Sequence, residues 1–367
     1  MDLALLRPLY TRAATTVSVH LDTSRLDQDA DTRIEVVWRD LRGRLAEQGA
    51  DEATLAVLDG AVGGSPHVPG PQGESLFAAE GRLLGAFTLT SPPARPRAVV
   101  GPVPDPLETV LDLDHQVPYV VVALDRKGAD IDAYPAGAFD PATSRTYDGG
   151  TLHITRVRAG GPSMASYHRR TLNLWTENAA GVVEEIAQAV REVDAPLVFV
   201  GGDPKAIGVL RPLCARTVPQ AELAEVAGGR GGGDALASLR AAVDEALAAY
   251  WRRSHELAME AFEAALEQDT AVHGFPAVMD AFAGGNVRTL LLTADRDADP
   301  PAWGSPDDPR LVGTAREALG THAASAFQAP AGAVLLRAAV LTGAAFSELV
   351  PPRRADDGCA AVLRYAD

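Results

Sequence analysis

With 367 residues, 47% of them hydrophobic and 22% charged, the chain has the composition of a soluble globular protein and is long for a single core, so two or three domains are expected. Its 33 Lys and Arg against 49 Asp and Glu leave a net charge of −16. That excludes a surface binding nucleic acid all over, because phosphate affinity is assembled from cationic contacts, and it confines any RNA contact to a local patch. No run reaches the roughly 18 apolar residues of a membrane span. The opening MDLALLRPLYTR also lacks the apolar centre of a signal peptide, so a cytoplasmic location is expected. Cys214 and Cys359 stand far apart in apolar settings and read as buried free thiols.

Residues 15–21, TTVSVHL, alternate as a half-buried strand does and end in the turn-forming Asp22-Thr23-Ser24. Ile34, Val37, Trp38, Leu41 and Leu45 then recur at helical spacing, with Asp29 and Asp31 near the positive N-terminal end. A short second helix spans Asp51 to Val62. SLFAAEGRLLGAFTL predicts a hairpin turning at Glu80-Gly81, and the following SPPARPRAVVGPVPDPLE is too proline-rich for regular structure, which puts a domain boundary near residue 117.

PYVVVALDRKGADIDAYPAG predicts a second hairpin, and Thr151 to Val157 a third antiparallel strand that runs into Gly160-Gly161. A helical pattern begins near Ser166 and continues to 193, with Val182, Val183, Ile186 and Val190 on its buried face. The apolar run LVFV reads as a fully buried strand, and Asp203-Pro204 as the cap and first residue of another helix. GGRGGGD, 228–234, reads as a flexible surface loop without the Lys-Ser/Thr ending of a P-loop, and a long helix starts at Asp234. The remainder predicts helix Ala277–Phe282, strand Val287–Thr293, an irregular loop Ala294–Pro309, helix Leu311–His322 and strands Ala333–Leu336 and Ala360–Arg364. The expected fold is α/β (α+β) in three domains: an N-terminal α/β domain over 1–117, a mixed-sheet middle domain over 118–262, and an α/β/α sandwich over 263–367.

No self-contained catalytic centre is advertised. Asp22, Asp125, Asp203 and Asp295 follow strands, but Asp there is ordinary turn and cap chemistry. The eight histidines show no zinc-binding spacing and no serine sits in a G-x-S-x-G elbow, so no catalytic, cofactor or metal residue is nominated. What stands out is charge. Between Asp148 and Glu177 there is no acid, while Arg156, Arg158, Arg169 and Arg170 gather with His153 and His168 around the two glycines. The arginines suit phosphates, and Tyr167 and His168 suit stacking on unpaired bases.

The segments HITRVRAGGPSMASYHRRTLN, PYVVVALDRKGADIDAY and GCAAVLRYAD, in this domain order, resemble the bacterial branch of the archaeal and eukaryotic class I release factor superfamily. That superfamily includes the Pelota-type rescue factors and the Balon-type ribosome hibernation factors. In release factors two glycines admit the backbone to the peptidyl-transferase centre, and a following Gln helps position water on the ester. Here Gly160 and Gly161 match the glycines, but Pro162 stands in place of the Gln and has neither N–H nor side-chain amide. The stop-codon element Asn-Ile-Lys-Ser is also missing from the N-terminal region. The resemblance thus implies a ribosome-associated factor, not an enzyme, that occupies the A site in dormancy or stress. Arg156, Arg158, Gly160, Gly161, Pro162, Tyr167, His168, Arg169 and Arg170 would contact ribosomal RNA there and at the peptidyl-transferase centre, and the third domain would face a translational GTPase such as elongation factor Tu. A rescue enzyme cleaving peptidyl-tRNA or tRNA with the same loop, and a protein-binding stress adaptor, are the alternatives.

Overall fold

A computed structural model describes residues 1–10, 15–26, 28–64, 70–150, 162–296, 299–350 and 355–365, with the backbone alone over 162–175. The described chain forms two compact units, one made of 1–115 with 253–367 and the other of 116–252.

In the N-terminal part of the first unit, β1 (Thr16–Asp22) precedes α1 (Ala30–Glu47) and α2 (Glu52–Asp59). The hairpin β2 (Gly73–Ala79) and β3 (Arg82–Leu89), then β4 (Arg97–Gly101) and α3 (Leu107–Asp114), complete it. The antiparallel sheet has the order β3-β2-β1-β4, so β1 is central and nearly all of it is buried. Ile34, Trp38, Leu41 and Leu45 of α1 pack on Val17, Val19 and Leu21 as their spacing predicts. The hairpin turns at Glu80 (φ 51°) and Gly81 (φ 68°), a pair of positive φ values that matches the right-handed twist of the strands. The proline-rich segment 91–108, expected to be irregular, contains β4 and runs into the start of α3. Its prolines flank the strand and do not enter it, and an edge strand tolerates such neighbours. The outer edge of β4 is occupied by the Gln48 amide, which accepts from Val100 N at 2.9 Å and donates to Ala98 O at 3.4 Å.

The middle unit opens with the hairpin β5 (Tyr119–Leu124) and β6 (Gly128–Tyr134). It continues with β7 (Thr143–Asp148), α4 (Pro162–Val193), β8 (Leu197–Gly202), α5 (Pro204–Thr217) and β9 (Glu222–Glu225), and α6 (Gly233–Glu267) begins within it. Its mixed sheet has the order β7-β6-β5-β8-β9, parallel at β5–β8–β9 and antiparallel elsewhere. Val198 and Val200 of β8 join the core under α4 and α5, while Leu197 and Phe199 meet Leu239 and Val243 of α6. Burial on both faces is why LVFV reads as an unbroken apolar run. The third antiparallel strand is β7. Its TSRTYD is polar because β7 is an edge strand, and the strand expected over Thr151–Val157 lies outside the described residues.

The C-terminal part of the first unit comprises β10 (Ala271–His273), α7 (Phe275–Ala283), β11 (Val287–Leu292), β12 (Pro301–Gly304) and β13 (Val312–Gly313). After a 3-10 stretch (Arg316–Ser325) come β14 (Phe327–Pro330), α8 (Ala331–Thr342), β15 (Ala345–Glu348) and β16 (Cys359–Leu363). One sheet runs β10-β16-β11-β15 and a small one β13-β12-β14. Alternate residues of β16 feed opposite cores: Cys359 and Ala361 face the side of α7 and α8, Ala360 and Val362 face Met259 and Phe262 of α6. Helices therefore cover both faces, as a sandwich requires. Three elements differ from expectation. Residues 294–309 include β12, residues 311–322 form β13 and 3-10 turns, and 333–336 lie inside α8. A helix buried at every position from Ala331 to Val340 has no polar face, so its sequence has no helical period to show.

Candidate functional site

Of the RNA-contact candidates, Arg156, Arg158, Gly160 and Gly161 lie outside the described residues. Pro162 is the first residue of α4, where its fixed φ suits a helix start and its missing N–H costs nothing. Tyr167, His168, Arg169 and Arg170 sit in the early turns of α4, with side chains outside the description. The helix therefore begins earlier than the expected Ser166. What the structure does define is the base from which this basic segment leaves and to which it returns.

That base lies at the ends of β5 and β8, where the β5–β6 turn, the exit of β7, the start of α5 and the glycine run 228–233 meet. Asp125 Oδ1 accepts from Lys127 N at 2.6 Å and Gly128 N at 2.8 Å and so sets the tight turn. Asp203 Oδ1 accepts from Lys205 N at 2.9 Å and Ala206 N at 3.2 Å and caps α5, while its Oδ2 pairs with Arg126 at 2.8 Å. Burial raises the Asp203 pKa, but the Arg126 bond and the two amides outweigh it, and the carboxyl stays below its ordinary range. Asp22 likewise accepts from Ser24 N at 2.8 Å. These carboxylates are committed to turns and caps, and among the described residues no three or more His, Cys, Asp or Glu converge as metal ligands.

Two side chains that sequence reading overlooks organise the base. Asn178 of α4 is 6% exposed; its Oδ1 accepts from Gly150 N at 3.1 Å, and its Nδ2 donates to Gly150 O at 3.1 Å and Arg126 O at 3.3 Å. Gly149 N donates to Lys127 O at 2.7 Å, and a Cβ there would fall 2.1 Å from Asn178 Oδ1. The second is Arg230, in the run read as a flexible loop. Its Nη2 reaches Asp148 Oδ1 at 2.8 Å, its Nε reaches Asp130 Oδ2 at 3.0 Å, and its Nη1 lies 3.7 Å from Asp125 Oδ2. The bond to Asp148, followed by that to Asp130, holds the guanidinium pKa above its usual value. The glycines around Arg230 serve close approach: a Cβ on Gly229 (φ +152°) would sit 2.6 Å from Gly202 Cα. A lone cation in a glycine run was the available signal for Arg230. For Asn178, a polar residue on an otherwise apolar helical face was the only trace.

From Asn178 back to Pro162, α4 extends over roughly 24 Å at 1.5 Å per residue. Its later turns are fixed to β7 by Arg145, which pairs with Glu185 at 3.3 Å and with Glu192. A Cβ on Gly181 would lie 2.2 Å from the Tyr147 ring, so ring and helix backbone are in contact.

The Ser–His pairs among the described residues are not nucleophile sites. His20 Nδ1 meets Ser75 Oγ at 2.7 Å, but His20 is 3% and Ser75 0% exposed, and burial lowers the His20 pKa. Ser305, beside His322, is also fully buried and accepts from the amides of Asp307 and Asp308. Both cysteines are buried free thiols, pushed up by burial to about 11 for Cys214 and about 12 for Cys359. No helix of the described residues is long and apolar enough to cross a membrane.

Residues 118–268 match the family model described as Bacterial archaeo-eukaryotic release factor family 2. Two curated Mycobacterium tuberculosis proteins, Uncharacterized protein MT2704 of strain CDC 1551 and Uncharacterized protein Rv2629 of strain H37Rv, are each 30% identical over 203 residues, 55% of this chain and 53% of theirs. The chain thus spans about half the length of these relatives. Among solved structures, Saccharomyces cerevisiae Dom34, a translation termination-like factor involved in RNA quality control pathways and interacting with Hbs1, aligns at 11% identity with a TM-score of 0.40, over 80% of this chain and 79% of its own. A ribosome-bound archaeal Pelota, seen with ABCE1, aligns at 14% identity and a TM-score of 0.40, over 99% and 94%. At such scores the structural likenesses carry no argument, and the family match concerns residues 118–268 alone.

Proposed function

We propose that this chain, whose residues 118–268 match the family model described as Bacterial archaeo-eukaryotic release factor family 2, is a ribosome-associated factor that occupies the A site without hydrolysing peptidyl-tRNA. The observation that carries the reading is Gly160-Gly161-Pro162 running directly into α4 within the matched segment. Superfamily members use a Gln after the glycines to position water, and a proline at the first helical position offers neither an amide side chain nor an N–H. The segment keeps the charge for RNA: Arg156, Arg158, Arg169 and Arg170 pair with phosphates, and Tyr167 and His168 stack on unpaired bases. A net charge of −16 with one acid-free basic stretch restricts RNA contact to that stretch and leaves the acidic remainder to proteins, a translational GTPase such as elongation factor Tu among them. The role belongs to hibernation or stress, when A sites stand empty.

The test is co-sedimentation of the full chain with ribosomes from growing and stationary cells, followed by peptidyl-tRNA release on stalled complexes. We expect association without release. Arg169→Glu with Arg170→Glu should weaken association and lower the slope of log affinity against log salt by about one for each phosphate that is no longer neutralised. A chain that stays in the soluble fraction sinks the proposal. Release by the native chain that Gly161→Ala abolishes would instead identify a rescue enzyme.

A further inference from the structure

We propose that Arg230 is a positioning residue for Gly149 and Gly150, the exit of β7 from which the chain continues toward the basic segment: from a glycine run about 80 positions downstream, it latches together Asp125, Asp130 and Asp148. The proposal rests on the functional reading above for its consequence, and on geometry for its mechanism. Asp125 belongs to the β5–β6 turn, Asp130 to β6 and Asp148 to the last position of β7, so one guanidinium crosses the base of three successive chain segments. Left alone, three carboxylates at this spacing would repel one another and splay the β7 exit from the turn. Arg230 removes that repulsion and, through its planar fork, fixes the direction of Asp148. The next two residues, Gly149 and Gly150, are held from the other side by Lys127 O and Asn178.

The approach of Arg230 is itself built. Gly228 (φ +90°) and Gly229 (φ +152°) bring their backbone against Leu239 N and Gly202, where any Cβ would lie within 2.6 Å of a neighbour. The Arg230 side chain is 20% exposed, with its Nε and Nη2 engaged in hydrogen bonds to Asp130 and Asp148. Since these donors are committed to carboxylates, Arg230 contributes orientation rather than a phosphate contact.

The experiment compares native chain, Arg230→Ala and Arg230→Lys by amide hydrogen exchange and by ribosome binding, with thermal unfolding as the control for folding. Arg230→Ala should speed exchange at Gly149 and Gly150 by about tenfold, the loss of one to two hydrogen bonds' protection, while amides of β5 and β8 stay protected. Ribosome affinity should fall by about tenfold through lost pre-organisation. Lysine keeps the charge but cannot span three carboxylates, so Arg230→Lys should resemble the alanine variant. Full affinity in Arg230→Lys would mean that Arg230 supplies only charge, and unchanged exchange at 149 and 150 would mean that it positions nothing; either overturns the proposal. If the native chain binds no ribosome, the functional reading fails while the exchange data still decide the latch.

Discussion

Asn178 ties three backbone groups to one amide, and a Cβ on the adjoining Gly149 would fall 2.1 Å from its Oδ1. Asn178→Ala removes both partners of Gly150 together with the bond to Arg126 O; Gly150 and Arg126 are exposed and water can replace the amide, so the expected cost is the net worth of one or two hydrogen bonds, about 0.5–1.5 kcal/mol each. Chemical denaturation of the full chain should show that loss in the transition of the middle unit, with the m-value unchanged. Asp203 shows the opposite case, a residue whose sequence context already states its role. Asp before Pro after a buried strand is a capping signal, and the structure places both residues as the signal requires. Asn178 carries no such signal, since its partners are backbone atoms 28 and 52 positions away. Local chemistry was legible in the sequence and long-range pairing was not.

The same division holds for elements. Hairpins with alternating faces and a glycine turn, and helices with one apolar stripe, were readable because a single neighbour layer imposes a period. The polar edge strand β7, the buried helix α8 and the short strands β12 and β14 were not, because an edge sees too little core and a helix buried all round sees core everywhere. Contact between β7 and α4 yields a prediction at this scale. Gly181→Ala drives a methyl into the Tyr147 ring, and overpacking of this kind costs about 1–3 kcal/mol. The thermal midpoint of the middle unit should drop, and pairing the change with Tyr147→Leu, which replaces the phenol ring with a shorter aliphatic side chain, should restore part of it. An unchanged midpoint would show that ring and helix are not packed as described. Of the site itself, the base is defined by elements the sequence half disclosed, while the basic segment was legible by composition alone.

At the scale of the molecule, the first unit has a core contributed by both ends of the chain. Leu3, Leu6, Leu9, Phe77, Leu107 and Val110 lie in one cluster with Phe275, Leu290, Leu335, Leu336 and Phe346. A chain ending after residue 267 would leave the N-terminal members of that cluster uncovered, at about 1.5–3 kcal/mol for each large side chain. We expect such a fragment to lose cooperative unfolding in residues 1–115 and to keep it in 116–252, whose mixed sheet and two apolar faces are complete in themselves; amide exchange resolved by peptide reads both. Retained protection across 1–115 would contradict it.

The discontinuous core also sets an order of events during synthesis. Residues 116–252 can close on themselves as soon as they emerge, whereas Leu3, Leu6 and Leu9 must wait for partners as late as Phe346 and Ala361. At roughly 5–20 residues per second, that wait amounts to many seconds with apolar surface uncovered. The nascent N-terminal segment is therefore the part of this protein most in need of a holding chaperone.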